Sequence, residues 1–543
     1  MIFQSQLADI EVPNMNLVQF VLGECRRRAS ANHQVFVDAE TDEALTLDEL
    51  ESLVYRVANG LRTRYNIQPG DVVATVAGNS IYYPIVAYAI VAAGAVCTPA
   101  NPSYTPRELA HQLGNSQCRA VVVGDGLLDQ VSEALLLTEH RVEHVLHLDE
   151  TRSGAAGSIF ELASEPALEP PALDYAQAAA YLCYSSGTTG KPKGVVLTHA
   201  NMVANAQQIA RVKQLDEPTM NSQTYETFLG LAPFCHAYGL SYVLHSSVML
   251  GGRVVVMRQY SFERFLRAVQ RHRITYGYLV PPIVCALSKD ARVDAYDVSS
   301  MHTVLSGGAA LSPALIETAE ARLPGTRVVQ GYGMSEMSPA MTMLATSHRN
   351  HASIGVLLPG GRAKVVDDAG RQLGVGEAGE LCFSGPNVMR EYLDNPQATR
   401  EIFDGDGFLR TGDIGHVDAD GFFYITDRKK ELIKFKGFQV APSELEGLLA
   451  EHPDIHDAAV LPVYDDAQAT EVPRGYFVLK PRGGGEKAGA ASDAARAQAV
   501  ADWLHARVAK YKRLRGGVVV VDGIPRSPAG KIIRRSLREI EHI

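Results

Sequence analysis

A chain of 543 residues that is 46% hydrophobic can bury a deep core and divide into roughly two to four domains, which excludes a disordered, fibrous or small disulfide-stapled protein. The formal net charge of −10 argues against nucleic acid as the main partner, although the last 39 residues carry ten Lys and Arg against three Asp and Glu, a solvated surface by default or a lure for phosphate-rich ligands. Seven cysteines without a CxxC pair predict neither a zinc site nor a redox dithiol, and point to reduced thiols in a cytosol-like compartment.

The N-terminal residues lack the basic start, apolar block and small-residue cleavage site of a secretory signal, and the final Glu541-His542-Ile543 is not an SKL-type peroxisomal address; a cytoplasmic protein is expected. Helix-period segments at 53–65, 105–114, 199–214, 262–272 and 313–323 alternate with Val/Ile-rich runs at 72–77, 120–123, 252–257, 275–280 and 301–306. That alternation predicts an α/β fold with mostly parallel sheets. The apolar run 81–100 has nearly the length of a membrane span. Pro84, Gly94 and Pro99 divide it, so it reads as a buried helix feeding a buried strand, with no transmembrane segment. Beyond Gly360 the runs 362–366 and 379–383 give strands without intervening helices, predicting a β-rich subdomain at about 355–426. A boundary is expected at 427–430, separating a large N-terminal domain, 1–426, from a small α+β domain, 431–543. The Gly/Ala-rich stretch 482–495 reads as an exposed loop.

The segment YSSGTTGKPKG, 184–194, stands out. Its glycines let backbone N–H groups turn inward, its Ser and Thr add short donors and its lysines add charge, a composition that wraps a polyphosphate. It is not a Walker loop, because Gly190-Lys191 is followed by Pro192 rather than Ser or Thr. Apolar runs on both sides make it a turn between two strands.

With five further motifs in order, the chain resembles the acyl-adenylate-forming superfamily of acyl-CoA ligases, firefly-type luciferases and peptide-synthetase adenylation domains. These are PFCHAYG (233–239), QGYGMSE (330–336), LRTGD (409–413), TDRKKELIKFKGFQV (426–440) and SPAGKIIRR (527–535). The resemblance, closest in character to 4-coumarate:CoA ligase-like enzymes, implies activation of a carboxylic acid by ATP as an acyl-AMP, then transfer to the thiol of CoA. The co-substrates are ATP and CoA, with Mg²⁺ as the metal.

It also implies roles for individual residues. Lys531 bridges the carboxylate and the α-phosphate, and Glu336 is the Mg²⁺ partner, a carboxylate suited to a hard cation. Ser185, Ser186, Gly187, Thr188, Thr189, Gly190 and Lys193 hold phosphate. Gln330, Gly331, Tyr332, Gly333 and Ser335 follow the nucleotide, with Tyr332 placed to stack on adenine and Ser335 standing where Thr is commoner. Asp413 takes the ribose hydroxyls and Arg428 supports ribose or phosphate. His236 and Tyr238 close the acyl pocket. His236 is expected in the catalytic apparatus but not as a general base, since the substrate arrives ionised. Ser241, Val280, Gly307, Gly308, Gly331, Met337, Pro339 and Ala340 complete the pocket, the glycines leaving room for a ring or chain. Lys430 is the hinge, and Lys434, Lys436, Gly437 and Gln439 serve the CoA thiol route, with Lys434 counted as catalytic in the second step.

No acidic residue in that pocket would neutralise an α-amino group, which disfavours an amino-acid-activating domain. An aromatic or phenylpropanoid acid and a medium-to-long fatty acid stay open as substrates. The alternatives to a CoA ligase are a stand-alone adenylation enzyme loading a carrier protein and a luciferase-like oxygenase.

Overall fold

A computed structural model describes residues 1–148, 157–185, 192–216, 226–429, 431–435, 438–465, 470–481, 490–527 and 530–539. The predicted α/β alternation is realised as two large mixed sheets, an antiparallel sheet and a smaller C-terminal domain.

The first large sheet is ordered Glu391–Tyr392, Lys193–Thr198, Ala179–Ser185, Val96–Ala100, Val72–Val76, Ala120–Val123 and His144–His147. Its parallel strands are buried on both faces, hence their near-continuous Val and Ala. The apolar run resolves as expected into a fully buried helix, Tyr83–Ala92, started by Pro84, and the strand Val96–Ala100. Among the described residues no helix is long and apolar enough to cross a membrane.

The second large sheet runs Val356–Leu357, Ala340–Met343, Arg327–Gly333, Thr303–Ser306, Tyr276–Leu279, Thr227–Gly230, Arg253–Val256, Gln34–Asp38 and Ala44–Thr46. The helix Phe262–His272 on its face has the bounds read from the sequence. Ser261 caps its first turn by accepting from Arg264 N, and Arg271 and His272 sit in its last turn, where they suit the helix dipole.

The antiparallel sheet contains Arg362–Val366, Gly379–Ser384, Leu409–Val417 and Phe423–Arg428, and its outer strand is Ile2–Gln4 from the start of the chain. The segment beyond Gly360 is therefore less self-contained than its pattern predicts. It includes the helix Pro396–Ile402 and lends Glu391–Tyr392 to the first large sheet.

Strands Ile455–Asp465, Thr470–Leu479 and Val518–Val520, the hairpin Ile433–Phe435 with Phe438–Val440, and the helices Pro442–Glu451 and Ala490–His505 enclose a separate core around Ile433, Phe435, Leu445, Phe477 and Leu504. The expected loop at 482–495 is corrected at its end. Residues from Ala490 onward are helical, because the alanines that look loop-like in composition are strong helix formers that bury Ala497, Val500 and Ala501. All seven cysteines are free thiols.

Candidate functional site

The strands Ala179–Ser185 and Lys193–Thr198 pair antiparallel with Ser185 opposite Lys193, forming the two stems of the phosphate-type turn. Ser186, Gly187, Thr188, Thr189 and Gly190 lie outside the described residues. At the stems, Ser185 Oγ donates to Glu336 Oε1 at 3.0 Å, and Tyr392 OH donates to the same oxygen at 2.8 Å. The Lys193 ammonium sits over the Tyr392 ring, 4.9 Å from its centre. Glu336 is only 4% exposed, and among the described residues its carboxylate is bound by the Ser185 and Tyr392 hydroxyls with no ion pair to a basic group. A buried carboxylate held by hydroxyls alone fits a divalent cation. Among the described residues no group of three or more His, Cys, Asp or Glu is placed to hold a metal ion.

Glu336 stands on a 3-10 turn, Ser335–Met337, fixed from outside by side-chain amides. Asn387 Nδ2 donates to Met337 O at 2.8 Å and Ala340 O at 2.7 Å, and Asn205 Nδ2 donates to Ala340 O at 2.8 Å. A Cβ on Gly333 would fall 1.7 Å from Pro339 O, so glycine is required for the chain to fold back here.

On the nucleoside side, Tyr332 OH donates to Asp413 Oδ2 at 2.6 Å, while its ring leans on Phe383 at 5.9 Å between centres. The phenol therefore aims the carboxylate expected to meet ribose. Asp413 pairs in register with Arg428, of which only the backbone is described. Gln330 bridges the protein itself: its Oε1 accepts from Leu311 N and its Nε2 donates to His351 O, both at 3.0 Å. It tethers the turn that carries Gly308 to the strand Arg327–Gly333.

On the acyl side, His236 Nδ1 accepts from Tyr238 N at 3.2 Å, which leaves the ring proton on Nε2. Burial, and secondarily the Lys531 charge, lowers the His236 pKa to about 4, so the imidazole is a neutral donor at pH 7. The Tyr238 hydroxyl is spent on the main chain, donating to Leu305 O at 3.0 Å, with Leu279 O at 3.4 Å. Ser241 donates to Ser338 O. Met337 and Ala340 are fully buried, and Pro339 sits between Ser338 and Ala340 on the same turn.

The surroundings of the pocket glycines can be measured. A Cβ on Gly307 would lie 3.2 Å from the Tyr238 ring, and one on Gly331 would lie 3.5 Å from the Tyr242 hydroxyl. Gly307 lets the Tyr238 ring approach, whereas a Cβ on Gly331 would meet only ordinary contacts, with Thr342 O at 3.4 Å nearest. Gly308 has φ 86°, which a side chain would strain. The sequence reading missed Tyr242, whose ring meets Tyr238 at 5.0 Å and Tyr278 at 5.3 Å. It also missed Asn79, which holds the PFCHAYG turn by accepting from Phe234 N at 2.8 Å and donating to Ala232 O at 3.1 Å. Tyr242 is four residues beyond Tyr238, a spacing that returns to the same side of a helix, and that was the available signal.

Lys531 reaches this site from the C-terminal domain. Gly530, at φ 79°, packs so closely on Val280 that an added Cβ would lie 3.3 Å from Val280 Cβ. Arg526 braces the turn, donating to Asp457 Oδ1 at 2.8 Å and to Gly530 O at 2.9 Å. The lysine-rich hairpin is anchored elsewhere, with Ile433, Phe435 and Val440 in the C-terminal core. Lys434 and Gln439 face each other in backbone register, and only their backbones are described; Lys430, Lys436 and Gly437 lie outside the described residues.

The sequence matches the profile of the AMP-binding enzymes over residues 24–393 and that of the AMP-binding enzyme C-terminal domain over 444–531. It is 34% identical to a probable 4-coumarate–CoA ligase 1 of Dictyostelium discoideum, covering 99% of this chain and 97% of that protein. It is 36% identical to 4-coumarate–CoA ligase 2 of Nicotiana tabacum, covering 99% and 96%. Among solved structures, a benzoate CoA ligase from Burkholderia xenovorans superposes with a TM-score of 0.83 at 25% identity, covering 96% of this chain and 100% of that one. ATP-bound MatB from Rhodopseudomonas palustris does so at 0.82 and 26% identity, covering 97% and 99%.

Proposed function

The chain belongs to the AMP-binding enzyme family as an AMP-forming acid–thiol ligase, and from that premise we propose that it activates an aromatic or phenylpropanoid acid and passes the acyl group to CoA. The reading of the acid rests on Tyr238, Tyr242 and Tyr278, whose rings pack on one another 5.0–6.3 Å apart beside Gly307, a rigid aromatic cluster that would suit a flat substrate. The 4-coumarate–CoA ligases among the relatives point the same way.

In the first half-reaction a carboxylate oxygen attacks the α-phosphorus of ATP, forming a P–O bond while the bond to the β-phosphate oxygen breaks and pyrophosphate leaves. Two anions must meet, so fixed positive charge and preorganised donors lower the barrier. Lys531 supplies the charge between them, and neutral His236 donates from Nε2 without competing for a proton. Mg²⁺, held by Glu336, would neutralise phosphate charge. In the second half-reaction the CoA thiol loses its proton to solvent, its sulfur attacks the acyl carbon, and the acyl C–O bond to phosphate breaks as AMP departs. We assign residues 1–426 to the ATP and acyl domain, Lys430 to a hinge, and 431–543 to a mobile domain that brings Lys434, Lys436, Gly437 and Gln439 to the thiol route.

The observation that carries the reading is the seating of the turn next to Lys531: Gly530 packs on Val280, so close that an added Cβ would lie 3.3 Å from Val280 Cβ. A panel of carboxylic acids with ATP, scored for AMP release with and without CoA, tests the function. AMP release that needs CoA and is fastest with cinnamate-type acids is expected. Preference for long alkyl acids, or transfer only to a carrier protein, would replace it.

A further inference from the structure

Three segments that are far apart in sequence converge on one side chain beneath the phosphate site. Tyr392 lies 5% exposed on the two-residue strand that pairs with Val195 and Val196. Its hydroxyl donates to Glu336 Oε1 at 2.8 Å, and its ring carries the Lys193 ammonium at 4.9 Å. Its backbone is pinned as well, Tyr392 N donating to Thr399 Oγ1 at 3.0 Å. We propose that Tyr392 is a positioning residue for adenylation, which fixes the Glu336 carboxylate for its cation and parks Lys193 beside it until the triphosphate arrives. The proposal rests on the reading of Glu336 as the metal-binding carboxylate.

The chemistry follows from the geometry. A carboxylate with one oxygen saturated by two hydroxyls, from Ser185 and Tyr392, cannot rotate freely, so its other oxygen keeps one direction. Lys193 over an aromatic face is held by a soft electrostatic contact that a phosphate oxygen outcompetes. The same tyrosine therefore serves both charges that handle the leaving pyrophosphate. It has no part in thioester formation, which starts from acyl-AMP.

Tyr392→Phe removes the hydroxyl and keeps the ring. Binding of Mn²⁺ to the enzyme with α,β-methylene-ATP, followed by electron paramagnetic resonance, should weaken about 10-fold, the scale of a lost hydrogen bond to a charged acceptor. The Mg²⁺ concentration giving half-maximal pyrophosphate release should rise by a similar factor, with thioester formation from supplied acyl-AMP unchanged. Tyr392→Leu, lacking the ring too, should add a several-fold rise in the KM for ATP. Glu336→Gln is the control. If it weakens Mn²⁺ binding while Tyr392→Phe does not, the positioning role is overturned; if Glu336→Gln leaves Mn²⁺ binding intact, the metal assignment itself falls. Equal loss of both half-reactions in Tyr392→Phe would make Tyr392 a packing residue and overturn the proposal as well.

Discussion

Single residues decide which acid fits and which step runs. Tyr242 closes the space beside Gly331, so Tyr242→Ala should admit longer or bulkier acids. A shift of roughly 10- to 200-fold in the kcat/KM ratio of a long to a short acid is expected, the range of a few methylene contacts. An unchanged ratio would place the acyl group elsewhere. Gly530→Ala should cripple adenylation, since a side chain there is strained at φ 79° and crowds Val280; acyl-AMP supplied from outside should still be turned over to thioester. Because the His236 pKa lies near 4, pyrophosphate release should show no acid limb between pH 6 and 7 that His236→Asn abolishes. Lys531 and Glu336 were legible because they sit inside short motifs. Tyr392 and Asn79 were not: their meaning lies in contacts to Glu336 and Phe234 N, partners that only the folded chain brings near.

At the level of elements, regular helices and parallel strands could be read from periodicity, and most bounds matched within two residues because caps and apolar faces are local properties; the helix expected at 53–65 instead starts at Leu47, six residues earlier, behind a Thr46 capping box. The wide-turned segment Gly239–Ser247 could not. Its π-helical form is sustained by Ser246 and Ser247, whose hydroxyls each donate to the carbonyl five residues back at 2.9 Å, a bond without a compositional signature. The turn bearing Lys531 depends on a brace from another strand. Asp457→Ala would leave the Arg526 guanidinium without its carboxylate and loosen Gly530. A 10-fold or smaller fall in pyrophosphate release is expected, with thioester formation from acyl-AMP spared; equal loss in both would show that Asp457 supports the whole domain.

Across the whole molecule, stability should fall in mild acid. His199 and His245 are fully buried, and burial lowers both pKa values to about 3. Below pH 6.5 the unfolded chain binds protons at these residues and the folded chain does not, so stability drops by on the order of 1.4 kcal/mol per pH unit for each, down to about pH 3. Urea midpoints between pH 7 and 5 should show this slope, and His245→Phe should lessen it; a flat profile would mean that both rings have wet alternatives. The layered sheets follow from alternation of helix and strand, whereas the pairing of Ile2 with Lys364 follows from nothing local. That pairing has a consequence in time. At roughly 5–20 residues per second, a ribosome delivers Lys364 about 20–70 s after Ile2, so the first strand leaves the exit tunnel long before its partner exists. The antiparallel sheet must close late, and a nascent chain halted before that point carries its N-terminal strand unpaired, open to a chaperone or to another chain.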